Sequence, residues 1–193
     1  MKIKIRNILL LLITANLHHQ VNAQSKVDDN VQQARLLVTT FANELKSELS
    51  SAMLAAGPIN GLEVCKLRAE PIAREVTGSS AWHVARTSSK VRNLNNTPEP
   101  WELNILQQFE KRLAEGEDIN KLEYSGMQVV KGEMVFRYVK AIPTGGVCLA
   151  CHGRNVDSAV SQKITELYPN DQATGFSLGD IRGVFSLSKT VDN

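Results

Sequence analysis

No stretch of this 193-residue chain approaches the roughly 18 consecutive apolar residues that a membrane-spanning helix needs. Internal repeats, low-complexity tracts and linkers rich in Gly, Pro or Ser are missing as well, so nothing divides the chain into several folded domains. A strong charge of either sign is absent, with 22 Lys and Arg against 20 Asp and Glu. Three of those basic residues, Lys2, Lys4 and Arg6, precede one short apolar run from Ile8 to Ala15. Cysteine is scarce, at three residues, and histidine at four. The chemistry available to so few soft ligands is correspondingly narrow.

The N-terminal segment has the parts of a secretory signal: a basic start, a short apolar middle and the small-x-small pattern Val21-Asn22-Ala23. Residues 1–23 are therefore expected to be a cleaved signal peptide. The remaining domain, residues 24–193, is expected to be periplasmic or secreted and to carry no membrane span. Removing residues 1–23 leaves 19 basic residues against 20 acidic ones. The slight basicity belongs to the leader, so neither nucleic acid nor an anionic membrane is implied as a partner. The remaining 170 residues are enough for one domain with its own core.

Hydrophobic periodicity predicts an α+β order. Val31, Ala34, Val38, Phe41, Leu45, Leu49 and Met53 recur at helical spacing over residues 27–56, and Gly57-Pro58 ends that helix. A second helix is predicted over 61–76, with Leu62, Cys65, Ala69, Ile72 and Ala73 on its inward stripe and Gly78 as its break. "AWHVARTSS" reads as extended, a polar loop follows, and a helix runs from Pro100 to about Gly116. Residues 121–143 alternate like strands, with breaks expected at Ser125-Gly126 and Lys131-Gly132. A helix over 157–168 and a closing strand from Ile181 complete the chain. Long N-terminal helices followed by a small antiparallel sheet, with a ligand-bearing segment between strands, is a PAS-like arrangement.

That segment is "VCLACHG". Cys148 and Cys151 stand at the spacing that lets two thiols add to the two vinyl groups of one haem, and His152 follows directly to ligate the iron. This is the c-type haem signature, and covalent attachment of this kind takes place on the exported side of a membrane, where the leader sends the chain. A redox disulfide is the simpler alternative. Such pairs normally open a helix in a βαβ unit, however, and the elements before this motif are antiparallel. A zinc site built from Cys65, Cys148, Cys151 and His83 would have four ligands, but exported thiols tend to oxidise.

Haem held by His152 leaves a sixth place on the iron. Candidates are His83, Cys65, Met53, Met127 and Met134, or no residue. Methionines taken singly are ordinary core filler. Cys65 is the cysteine left over once the motif has used two, and by composition it is equally a ligand or a buried inert thiol. Arg86 and Arg92 are candidates for the haem propionates, because a guanidinium offers a carboxylate two parallel donors. Arg86 is the better of the two, since strand alternation puts it on one face with Trp82 and Val84.

Four blocks in order, "VCKLRAEPIA" around Cys65, "HVARTSSKVRNLNNTPEPWE" from His83, "CLACHG" from Cys148 and "YPNDQATGFSLGDIRGVFSLS" from Tyr168, are similar to those of the bacterial c-type haem PAS-like domain family. That family also supplies the sensory input module of membrane-bound signalling proteins. The resemblance covers most of residues 24–193 and implies a PAS-like sheet flanked by helices. It further implies one covalent haem with His152 as the proximal and Cys65 as the distal axial ligand. Sensor members carry an output domain, so here the signal is expected to leave through an unidentified protein partner.

A thiolate opposite a histidine stabilises ferric over ferrous iron, so the potential should be low. Reduction weakens the iron's hold on the sulfur and opens a place for CO or NO, as a ligand-switching sensor requires. The expected function is a redox- or gas-responsive module, with a low-potential electron-transfer cytochrome c as the alternative. An enzyme is not expected, because no acid–base pair stands beside the motif and a six-coordinate iron leaves peroxide no place.

Overall fold

The helical stripe through Val38, Phe41 and Leu45 buries all three side chains and sets the direction of the first element. In the computed structural model, which describes the backbone of residues 5–191 and the side chains of residues 26–191, α1 runs Ile5–Leu67. Two compact units divide it, Met1–Leu36 and Leu37–Asn193. The site described below lies wholly in the second. The proposed leader, residues 1–23, falls partly outside the described residues, and beyond them only its helical backbone is described. No helix among the described residues is long and apolar enough to cross a membrane.

α1 is broken where the sequence places a break. Ala56 and Gly57 leave helical geometry, and Gly57 takes φ 79°, a conformation that glycine adopts without steric cost. Helix resumes at Pro58, three residues before the predicted Gly61, because proline fits a first turn where its missing N–H is not needed. The segment after the break folds back on the one before it. Arg68 forks onto both carboxylate oxygens of Glu48 at 2.8 Å, and Asn60 donates to the Ala52 carbonyl. The predicted second helix is interrupted once at Arg68, after which α2 runs Ala69–Thr77 and ends at Gly78.

The sheet has the order β1-β4-β3-β2, all neighbours antiparallel, from β1 (Trp82–Thr87), β2 (Glu123–Val130), β3 (Glu133–Pro143) and β4 (Ile181–Thr190). Its β2–β3 turn is Lys131-Gly132, both at positive φ. The break expected at Ser125-Gly126 does not occur. β2 passes straight through, and Gly126 leaves room for the Tyr124 side chain, whose hydroxyl would lie 2.6 Å from an added Cβ. Strand-interior glycine here marks a close side-chain approach and not an end.

The two faces of the sheet have different covers. Helix α3 (Pro100–Ala114), started by a Glu99/Glu102 capping box, buries Ile105, Leu106 and Phe109 against Val139, Ala141 and Val184. On the other face Phe41 of α1 meets Phe185 edge-on with ring centroids 5.5 Å apart, beside Trp82, Phe136 and Leu187. Arg86 points to this second face and His83 to the first, as strand alternation and the register Arg86↔Phe185 require. Between β3 and β4 the chain carries the CxxCH segment on the short α4 (Leu149–His152), then α5 (Ser158–Leu167), N-capped by Asp157.

Candidate functional site

Cys148 closes a single 3-10 turn and Cys151 and His152 lie on α4, so the motif is a tight coil whose donors project within one turn of each other. Four residues of helix cannot hold themselves, and the loop 171–176 does the holding. His152 donates from Nδ1 to the Ala173 carbonyl at 2.6 Å, while its own carbonyl accepts from Phe176 N at 3.0 Å. Gly153 carbonyl accepts from Gly175 N at 3.0 Å. Arg92 locks the back of this assembly. Its fork meets both oxygens of Asp171 at 2.9 and 3.1 Å, and Nη2 also donates to the carbonyls of Cys151 and Ala173. Asp171 in turn accepts from Ala173 N at 3.0 Å. With side chains only 8% and 10% exposed, the Arg92–Asp171 pair is a buried structural bridge.

Gly153 sits where no side chain fits, since an added Cβ would stand 2.5 Å from the Leu149 carbonyl oxygen. Gly153→Ala is expected to destabilise the fold by about 1–3 kcal/mol through forced displacement of α4. Chemical denaturation checks it, and an unchanged midpoint would mean that α4 is not pinned as described.

The imidazole is set up as a ligand. Donation from Nδ1 fixes the tautomer and leaves the Nε2 lone pair free, the usual arrangement of a metal-binding histidine. Burial, then the nearby Arg182 and Arg92 charges, push its pKa down to about 2, so the ring is neutral throughout the physiological range. The Phe176 ring meets it edge-on at 6.2 Å.

Cys65 approaches from the segment of α1 that follows the break. It lies close enough to Cys148 and Cys151 for their charges to interact, and all three thiols are free. Burial pushes the Cys65 thiol up, while the cations of Arg86, Arg92 and Arg182 pull it back down. Cys151 is raised by its own burial against Leu62, Val160 and Ile164. Arg86 also senses Cys65, and burial lowers its pKa. Its guanidinium lies 5.6 Å from the Phe41 ring centroid.

The other candidates are placed elsewhere. His83 is exposed on the opposite face of the sheet, and Met127 is exposed on the edge strand β2. Met134 is half-buried at the start of β3, and Met53 is half-buried in α1. The four residues weighed for zinc are therefore not gathered, and among the described residues no group of three or more His, Cys, Asp and Glu stands at metal-binding spacing. Arg92, weighed for a propionate, is already occupied by Asp171. Sequence reasoning overlooked the individual roles of Asp171, Ala173, Phe176 and Arg182. Asp171 stands between Asn170 and Gln172, and Arg182 two residues after Asp180, so neither is marked out by its neighbours in the sequence.

A helical hairpin and a four-stranded antiparallel sheet enclosing a CxxCH coil with a third cysteine facing it define an α+β protein with a cysteine–histidine site. The chain belongs to the Tll0287-like family, whose model matches residues 15–189, in accord with the resemblance that the four sequence blocks carry. Among solved structures it is similar to the cyanobacterial heme-protein Tll0287, with a TM-score of 0.62 and 22% identity over 86% of this chain and 97% of that one. That likeness is one of fold. None of the curated proteins matches the chain in sequence.

Proposed function

We propose that this chain is an exported c-type haem protein acting as a redox- or gas-responsive module through a ligand change at the haem iron. Family membership and the likeness to a cyanobacterial haem protein support haem as the ligand. The residues present fit it. Cys148 and Cys151 would carry the two thioether bonds, His152 offers a neutral Nε2 in a fixed tautomer, and Cys65 faces them from another element. Bound haem would supply a one-electron ferric–ferrous couple and an axial place able to take CO or NO.

The observation that carries the switch is the unequal anchoring of the two axial candidates. His152 is tied through its ring and its carbonyl to the 171–176 loop, which Arg92 braces from behind. Cys65 sits on a helical segment of ten residues, 58–67, bounded by the break at Ala56–Gly57 and the interruption at Arg68. The His152 side chain is held by its own hydrogen bond, whereas the Cys65 side chain is positioned only through its helical segment, which Arg68–Glu48 and Asn60–Ala52 tie to the helix before it. Burial disfavours a free Cys65 thiolate and the arginines around it offset part of that cost; a ferric centre would supply the remaining attraction, and a ferrous one less of it. Movement of its helical segment would then present a changed surface to a protein partner.

Co-expression with a haem-attachment system should give a mature chain beginning near Gln24 whose mass exceeds the polypeptide by one haem, and the haem should resist acid-acetone extraction. A mature chain of bare polypeptide mass would overturn the proposal.

A further inference from the structure

Arg182 departs from the sheet ladder. Ile142 pairs with Gly183 and Pro143 with Ile181, so Arg182 is the extra residue of a bulge, a device that re-aims a side chain out of the regular alternation. Its neighbour Gly183 permits the chain to pass this closely, since a Cβ there would lie 2.4 Å from the Thr87 carbonyl oxygen. Ser88 secures the result. The Ser88 hydroxyl donates to the Arg182 carbonyl at 2.8 Å and accepts from Arg182 Nη1 at 3.2 Å. The guanidinium carbon stands 5.2 Å from the centroid of Phe176, the ring that also meets His152.

The guanidinium is held in place but not satisfied. Arg182 Nε is buried without a hydrogen-bond partner, a costly arrangement for a cationic donor. Among the described residues no carboxylate forms an ion pair with Arg182 or Arg86, whereas Arg92 takes both oxygens of Asp171. Burial, with Arg92 and Arg86 nearby, pushes the Arg182 pKa down to about 10. Of the three arginines around the motif only Arg92 has a carboxylate partner, so the charges of Arg86 and Arg182 are left without one, and a haem carries two propionates.

We propose that Arg182 is a propionate-binding residue, its buried Nε and remaining donors directed at one haem carboxylate, with the Arg86 charge balancing the second. This rests on the haem reading above. The bulge and Ser88 pre-orient the fork, so that little side-chain freedom remains to be lost on binding. Arg92 is excluded from this role because Asp171 already fills its fork.

Wild type, Arg182→Gln and Arg182→Lys, each produced with haem-attachment machinery, are compared by mass, by resonance Raman in the propionate bending region and by midpoint potential. All three are expected to carry the covalent haem. The Gln variant should show its propionate band shifted to lower frequency and its potential lowered, because losing a nearby cation disfavours the ferrous state. The Lys variant should keep the potential near wild type, since the charge remains, but not the band position, since the fork is lost. An unshifted propionate band in haem-loaded Gln protein overturns the proposal and leaves the haem reading standing. Wild-type protein without covalent haem overturns both. Should the Gln variant fail to fold, the Lys variant decides: a shifted band supports Arg182 and an unshifted one overturns it.

Discussion

Replacing His152 with alanine is expected to leave haem covalently attached through Cys148 and Cys151 while abolishing the low-spin spectrum. The proposed thioether bonds would be made by cysteine sulfurs that the substitution does not touch, so mass spectrometry should still find the cofactor. The axial field is a different matter. His83 is exposed on the far face of the sheet, so no other histidine of the sheet is placed to take over. The Ala173 carbonyl, which now accepts from Nδ1 at 2.6 Å, would keep only its bond from Arg92 and offers no comparable ligand. Absorption spectra of the ferric variant should show a high-spin or mixed-spin species. A spectrum unchanged from wild type would mean that a residue other than His152 is the proximal ligand.

The second large effect is expected from Cys65→Ser. A thiolate on ferric iron gives a sulfur-to-iron charge-transfer band, which a serine hydroxyl cannot replace. The band should vanish and the midpoint potential should rise, because the anionic donor that favours the ferric state is gone. CO affinity of the ferrous form should increase as well. If sulfur still occupies the axial place about half of the time in reduced wild type, freeing it raises apparent affinity about twofold. Serine differs from cysteine by one atom in a half-buried position, so the fold should be retained. An unaltered spectrum and potential in Cys65→Ser, with both altered in His83→Ala, would move the sixth ligand to His83. The switch mechanism would go with it.

The parts of this site legible in the sequence are the ones whose geometry is local. CxxCH was legible as a cluster because three donors within one turn stay together in almost any fold. The stripe through Leu62, Cys65, Ala69 and Ile72 likewise placed a cysteine facing inward before any tertiary contact was known. Long-range features were not legible. Nothing in the spelling of Ala173 marks its carbonyl as the acceptor that sets the His152 tautomer, because a backbone oxygen carries no residue signature. Arg182 reads as one position in an alternating strand, and only the register between β3 and β4 makes it a bulge residue. Gly126 illustrates the opposite error, a glycine read as punctuation that in fact accommodates the Tyr124 ring within an unbroken strand.

The ligand change itself is tested most directly by one series of absorption spectra on haem-loaded wild type, oxidised, then reduced, then exposed to CO. A switch through Cys65 predicts a low-spin ferric spectrum with the sulfur charge-transfer band, disappearance of that band on reduction, and rapid formation of the CO adduct. A protein that stays low-spin and six-coordinate through the redox cycle, and whose reduced form resists CO, keeps both axial ligands. That result would contradict the switch and identify the chain's role as low-potential electron transfer.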